Sequence, residues 1–402
     1  MKNIINHSIF CSGLVILLFI GQTFAAPRAV YFDYFGTGRS SYLDFTTSQN
    51  TDLVRWDLLR TPVTQSPQTR RVFWGRTRDD RVFGDFDGDL KYDIAVYRRG
   101  SGQNSPGYFY VQRSSDNSML VQPWGKGFDR PAEGDFDGDG KNDFAVIRYE
   151  EASAGGFNLV WYIFPSGGGA HRRIVWGIDS QDVFDIPIFP SGDFNNDGRD
   201  DLVVARIDFD ANKITYYVGD AQTGAIVLAQ PWGDLEIPAF LFVGNFVGDS
   251  RADVGVFYTD CPDDPGCALG ATWWIKETGN DNHRVVKFGI PFNIFTEEGD
   301  LPDFGDYDGD GKFDISVFRR AASTYFHQLS SNNQVVAQFW SGLIPLPGTV
   351  ADGLLDGAFE PQEKQQSVSP SLGASRATFV MRNADGTVTA KRGGAEILRP
   401  KK

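Results

Sequence analysis

Apolar and polar positions along this chain come in short strand-length bursts divided by glycine and aspartate, with no convincing helical stretch. The clearest burst, Phe144-Ala145-Val146-Ile147-Arg148, is an apolar, β-branched run that reads as a buried strand. An aromatic run follows, Leu159 to Phe164, then a polar turn and a third strand ending in Trp176-Gly177. The same order recurs. Aromatic runs stand at Tyr108–Val111, Ile214–Val218, Thr272–Ile275 and Thr324–Phe326. Strands end in Trp74-Gly75, Trp124-Gly125, Trp232-Gly233, Phe288-Gly289 and Trp340-Ser341-Gly342. A short extended segment such as Pro131–Gly134 completes each cycle. The pattern predicts four short antiparallel strands in every ~50 residues, and radial packing of such sheets is a β-propeller. The repeated aromatic is expected to pack one blade on the next, because a large ring at a strand end usually fills core.

Each cycle turns on an acidic loop. Asp135, Asp137, Asp139 and Asp143 stand at positions 1, 3, 5 and 9 of a nine-residue loop, with Gly140 at position 6. That spacing lets one tight turn aim hard oxygens at a common centre, which suits Ca²⁺, and glycine permits the positive φ the turn requires. Three further loops repeat it: Asp85, Asp87, Asp89 and Asp93; Asp193, Asn195, Asp197 and Asp201; Asp306, Asp308, Asp310 and Asp314. Leu90 replaces the position-6 glycine in the first of these. The Asn245 copy has Val247 at position 3 and Ser250 at position 6, so it is excluded as a site. Remnants begin at Asp33 and Asp352. Merely solvated acidic turns are the alternative, but four carboxylates in one turn repel each other unless a cation sits among them. About four Ca²⁺ ions of structural role are expected.

The nine positions resemble the start of an EF-hand loop, but Val146 stands where the twelfth-position Glu would be, inside a strand. Gly134–Arg148 and Gly305–Arg319 resemble the FG-GAP and VCBS calcium repeats, found in the integrin α-chain head propeller and in secreted bacterial proteins; Gly84–Arg98 and Gly192–Arg206 follow closely. That resemblance implies a seven-bladed propeller of four-stranded blades, with motifs starting near 33, 85, 135, 193, 245, 306 and 352. It further implies calcium between strands 1 and 2 of a blade, and extracellular recognition more often than catalysis.

The amino end changes the setting. Met1-Lys2, the apolar stretch Ile9–Ile20 and Thr23-Phe24-Ala25 read as a secretory signal peptide over 1–25, leaving 26–402 as the propeller. No later stretch reaches the ~20 apolar residues of a membrane span. An exported chain, extracellular or periplasmic, favours a disulfide between Cys261 and Cys267, with two free thiols as the alternative. The formal charge of −14 argues against nucleic acid, and four Ca²⁺ would offset roughly half of it.

Arg98, Arg148, Arg206 and Arg319 recur at a fixed offset from each loop. They are expected to pair with a carboxylate of a neighbouring blade; a ring of anion-binding arginines is the other reading. His171, His283 and His327 fit no catalytic or metal spacing and read as surface or strand residues. Recognition is expected opposite the calcium loops, where 100–107, 150–156, 178–190, 259–270 and 290–302 gather with Phe184, Phe189, Phe292 and Phe295. The leading expectation is a monomeric, non-catalytic module for extracellular carbohydrate or protein, acting in adhesion. The alternatives are a secreted glycan hydrolase or lyase on a propeller scaffold, and a structural envelope component.

Overall fold

The computed structural model describes residues 32–47, 52–61, 67–180, 183–208, 210–234, 239–258, 271–292 and 299–340, with the backbone of three later strands. The expected signal peptide, the Cys261–Cys267 bridge, Phe295 and the motif at Asp352 lie outside the described residues. The described residues are all-β apart from one 3₁₀ turn, Arg320–Ala322. Among the described residues no helix is long and apolar enough to cross a membrane.

Antiparallel meanders follow one another in a β-propeller-like arrangement. The first has three strands, β1 (Tyr42–Thr47), β2 (Leu53–Leu59) and β3 (Thr69–Arg76). The second comprises β4 (Asp80–Gly84), β5 (Asp93–Arg98), β6 (Pro106–Gln112) and β7 (Met119–Lys126). The third holds β8 (Arg130–Ala132), β9 (Phe144–Glu151), β10 (Phe157–Phe164) and β11 (Arg172–Asp179), and a single pair, Asp179 with Phe184, links it to the fourth. That fourth meander is β12 (Val183–Pro187), β13 (Leu202–Asp208), β14 (Lys213–Gly219) and β15 (Ile226–Asp234). β16 (Ala239–Gly244), β17 (Asp253–Tyr258), β18 (Thr272–Lys276) and β19 (His283–Lys287) form the fifth. The sixth is β20 (Asp300–Gly305), β21 (Asp314–Arg319), β22 (Thr324–Gln328) and β23 (Val335–Phe339). A last set, β24 (Thr378–Arg382), β25 (Val388–Arg392) and β26 (Ala395–Glu396), joins the free edge of β16.

Burial explains the sequence pattern. The first strand of the fifth meander, β16, is buried at every position, and so is β17, because neighbouring sheets cover both faces. Outer strands alternate, as in β19, where every second residue is exposed. The apolar clusters sit between adjacent meanders, around fully buried Trp56, Trp161 and Trp273. Each such ring removes ~150–250 Å² from water, worth roughly 4–6 kcal/mol before ordering entropy is set against it. The aromatic-glycine signature packs sheet on sheet as expected: the indole N–H groups of Trp74, Trp124 and Trp232 donate to the carbonyls of Tyr110, Tyr162 and Trp274 in the following meander. Gly75 has φ +80°, and a Cβ there would meet Val96 at 2.6 Å, so only glycine fits the turn.

A circle of backbone hydrogen bonds runs through the loops. Position 8 of each loop donates its N–H to the position-1 carbonyl of the preceding one: Tyr92 to Asp33 (2.9 Å), Asn142 to Asp85 (2.6 Å), Asp200 to Asp135 (2.8 Å), Ala252 to Asp193 (2.8 Å) and Phe313 to Asn245 (2.8 Å). Ser40, at position 8 of the Asp33 loop, donates to Asp306 at 2.6 Å and closes the circle. The six described loops are therefore joined in a closed circle, and the seventh motif, at Asp352, lies outside the described residues. Packing supports that closure: Tyr42 and Leu59 of the first meander share a cluster with Tyr307, Tyr325 and Trp340 of the sixth.

Candidate metal centres

The loops lie between the first and second strands of a meander and share one scaffold. Position 1 is its hub. In the best-formed loop Asp135 accepts the N–H of Gly138 on Oδ1 and that of Gly140 on Oδ2, both at 2.8 Å. Position 9 ties the ends together, since Asp143 Oδ2 accepts the Phe136 N–H at 3.0 Å. Its Oδ1 accepts the Ser166 N–H from the hairpin beyond β10 at 2.9 Å. Asp93 and Asp314 are held in the same way, by Phe86 with Ser114 and by Tyr307 with Ser330.

Positions 1, 3 and 9 come together. Carboxylate oxygens of Asp85, Asp87 and Asp93 all lie within 4.8 Å of one another, as do those of Asp135, Asp137 and Asp143, and of Asp306, Asp308 and Asp314. Oxygens bound to one Ca²⁺ at 2.3–2.6 Å stand no more than about 5 Å apart, so each trio fits around a single ion. All-oxygen, anionic donors suit a hard divalent cation. Asp85, Asp93 and Asp314 are wholly buried, whereas Asp139 and Asp310 at position 5 are exposed.

Position 5 is placed differently. Asp89, Asp139, Asp197 and Asp310 accept the N–H of position 7, and Asp89 and Asp197 also pair with Lys91 and Arg199 at 3.0 Å. In the Asp193 loop Asn195 turns its Nδ2 toward Asp201 Oδ1, 3.5 Å away, so that loop gathers two carboxylates and an amide. The Asn245 loop keeps the scaffold, with Gly248 donating to Asn245 and Phe246 to Asp253, but Val247 brings no oxygen. Leu90 adopts φ +68° and still donates its N–H to Asp85 Oδ2 at 2.8 Å.

Burial dominates the electrostatics. It pushes Asp143 up to about 8, with Asp137 and Asp135 adding like-charge repulsion against the opposing backbone donors. Asp201 likewise rises to about 8, Asp93 and Asp314 to about 7, and Asp135 and Asp306 to about 6. Near neutral pH Asp143 and Asp201 would retain protons that a divalent ion would displace.

The recurrent arginines have a structural partner that the sequence reading did not single out. Arg98, Arg148, Arg206 and Arg319 form two-pronged pairs with Asp79, Asp129, Asp185 and Asp300. Asp185 and Asp300 stand on the first strand of the same meander as their arginine, and Asp79 and Asp129 in the junction immediately before that strand. None stands in a neighbouring meander as expected, because the first and second strands lie side by side. A second task is the junction: Asp129 Oδ2 also accepts the Lys126 N–H just past Trp124-Gly125, at 2.7 Å. The guanidinium groups then stack on Tyr110, Tyr162, Tyr217 and Phe326. A carboxylate six residues before Asp85, Asp135 and Asp306 was the signal available in the sequence.

One further expectation changes, and the reading of the histidines as surface or strand residues holds. Phe184, Phe189 and Phe292, assigned to a recognition surface, are buried core. His327 is a buried strand residue between Ser316 Oγ (2.7 Å) and Tyr42 Oη (3.0 Å), whereas His171 and His283 are exposed beside Trp124 and Trp232.

No protein-family model matches this chain, and no curated protein matches it. Among solved structures, a mutant of the Synechocystis apocarotenoid oxygenase is similar at 10% identity and a TM-score of 0.34, over 74% of this chain and 71% of that one. Likeness at that level carries no argument about activity.

Proposed function

We propose that this chain is an exported, calcium-stabilised propeller of the FG-GAP and VCBS kind, serving as a non-catalytic recognition or adhesion module for extracellular carbohydrate or protein. The observation that carries the calcium reading is the repeated convergence of position-1, position-3 and position-9 carboxylates within 4.8 Å. Asp85, Asp87 and Asp93 would hold one ion, with the equivalent residues of the Asp135 and Asp306 loops holding two more. Asp193, Asn195 and Asp201 make a fourth, weaker set. Ca²⁺ would supply positive charge at the centre of each loop. The chain's own groups then keep the ligands in place, through the backbone donors to positions 1 and 9. Among the described residues the carboxylates that burial raises all stand in the repeated loops, Asp253 of the degenerate Asn245 loop included, which favours a structural use of acidity over acid–base catalysis.

The test is thermal unfolding of the mature protein in Ca²⁺ and in EGTA, with binding to arrays of glycans and matrix proteins in both buffers. Stabilisation by Ca²⁺ with a ligand bound only in Ca²⁺ supports the reading. Equal stability in the two buffers sinks the calcium assignment, and an active hydrolase or lyase in the same preparation sinks the non-catalytic one.

A further inference from the structure

The loops are joined pairwise around the ring, but the joints differ. Asn142 donates its N–H to the Asp85 carbonyl at 2.6 Å and accepts the Asp85 N–H on its own Oδ1 at 3.0 Å. Asp200 does the same to Asp135, donating to its carbonyl and accepting its N–H on Oδ2, both at 2.8 Å. Both peptide groups flanking a position-1 ligand are thus held by one residue of the next loop. At the other joints of described loops the position-8 side chain differs. Ala252 and Phe313 carry no side-chain oxygen, and the Tyr92 ring packs on Phe32. The Ser40 hydroxyl at the closing joint finds no partner. The two-sided clamps therefore occur where two complete acidic loops are neighbours, joining the Asp85, Asp135 and Asp193 loops in one arc. The Asp306 loop stands apart, between the degenerate loops of Asn245 and Asp33.

Close packing explains why these clamps can form. A Cβ on Gly84 would meet Asn142 at 2.5 Å, so the glycine before Asp85 makes room for its neighbour's side chain. Asn142 is itself buried and sits directly before the ligand Asp143. An ion that fixes Asp143 fixes Asn142, and through it the peptide groups on both sides of Asp85. The same sequence links Asp201, Asp200 and Asp135. Coupling of this kind is reciprocal, because each site lowers the ordering entropy left for the next.

We propose that the Asp85, Asp135 and Asp193 loops form one cooperative cation-binding arc, with Asn142 and Asp200 as the coupling residues, while the Asp306 loop binds its ion independently. The proposal rests on the calcium reading above. Asn142 and Asp200 are positioning residues: neither has an oxygen in the carboxylate trios.

The experiment is a calorimetric titration of the metal-free mature chain with Ca²⁺ alone, at fixed pH and ionic strength. The expected isotherm has three cooperative ions, with affinity rising about tenfold across the arc, and one independent ion. Asn142→Ala should keep the stoichiometry and reduce that rise severalfold, whereas Asn142→Asp, which retains the acceptor oxygen, should restore it. Asp200→Ala and Asp200→Asn form the matching pair at the second clamp. Four independent ions in the unaltered chain would overturn the coupling and leave the calcium reading standing; no bound ion would overturn both. Unchanged cooperativity in Asn142→Ala and Asp200→Ala would remove these two residues from the coupling.

Discussion

The backbone N–H of Ser40 donates to the carbonyl of Asp306 at 2.6 Å, and that bond makes the first and last loops of the ring neighbours. A loop with no acidic residue at positions 3, 5 or 9 thus keeps the hydrogen bonding of its relatives and serves closure. Ser41 stands at position 9 and its hydroxyl accepts the Tyr34 N–H at 3.2 Å, as Asp143 does for Phe136.

Closure should be sensitive to a single hydroxyl. Tyr325 Oη donates to the Leu43 carbonyl at 3.0 Å in a buried joint between the sixth and first meanders. Tyr325→Phe leaves that carbonyl without this donor and should cost ~1–3 kcal/mol, read from urea denaturation. An unaltered midpoint would show that the joint contributes nothing to stability.

Stability and pH should be linked in opposite senses with and without calcium. Asp143 and Asp201 rise from 3.8 to about 8 in the folded, ion-free chain. The folded state then binds more protons than the unfolded one between pH ~4 and ~8, so their contribution is full below pH 4 and lost as pH climbs through 8. In EGTA, unfolding temperature should fall across that window. Saturating Ca²⁺, which requires the deprotonated carboxylates, should stabilise more strongly as pH rises. A calcium effect that is flat from pH 5 to 8 would contradict the assignment.

Asp143→Asn should act with two signs. It removes a buried, crowded charge, so the ion-free protein should gain stability at pH 8, while the count of bound Ca²⁺ drops by one. Calorimetry in EGTA and in Ca²⁺ reads both. Loss of stability in both buffers would mean that Asp143 is needed only for its hydrogen bonds to Phe136 and Ser166.

Leu90 is a local misfit. It is 71% exposed with φ +68°, where a side chain costs roughly 1–2 kcal/mol. Leu90→Gly forfeits little packing and offsets part of its benefit through chain entropy, leaving a gain of ~0.5–1 kcal/mol. The unfolding midpoint in Ca²⁺ measures it directly.

The Arg148–Asp129 pair should resist single substitution. Asp129 is 1% exposed and also holds the Lys126 N–H, so Arg148→Met strands a buried carboxylate at a cost of ~3 kcal/mol. Denaturation of the variant beside that of Arg148→Lys separates the loss of charge from that of the two-pronged geometry.

Much of this architecture could be read from the chain. The apolar run after each acidic loop became a buried second strand, and the aromatic-glycine ends became contacts between sheets. Positions 1, 3 and 9 converged as their spacing implied. Position 5 did not join them, because a nine-residue turn gives that side chain to the position-7 N–H and to neighbouring cations. Phe184, Phe189 and Phe292 looked like surface aromatics because they lie in segments that read as irregular, yet they pack into the apolar clusters, Phe189 on Trp161 and Phe292 on Phe240.

Local spacing alone determined the acidic loops, the strands they feed and the repeat itself, since these depend on turns and periods within a dozen residues. What a residue meets across a joint was decided only by the folded ring. Asn142 against Asp85 and the closing bond from Ser40 to Asp306 both depend on how the sheets pack against one another around the circle of described loops. That packing arises from side chains held between meanders, and no periodicity along one strand encodes it.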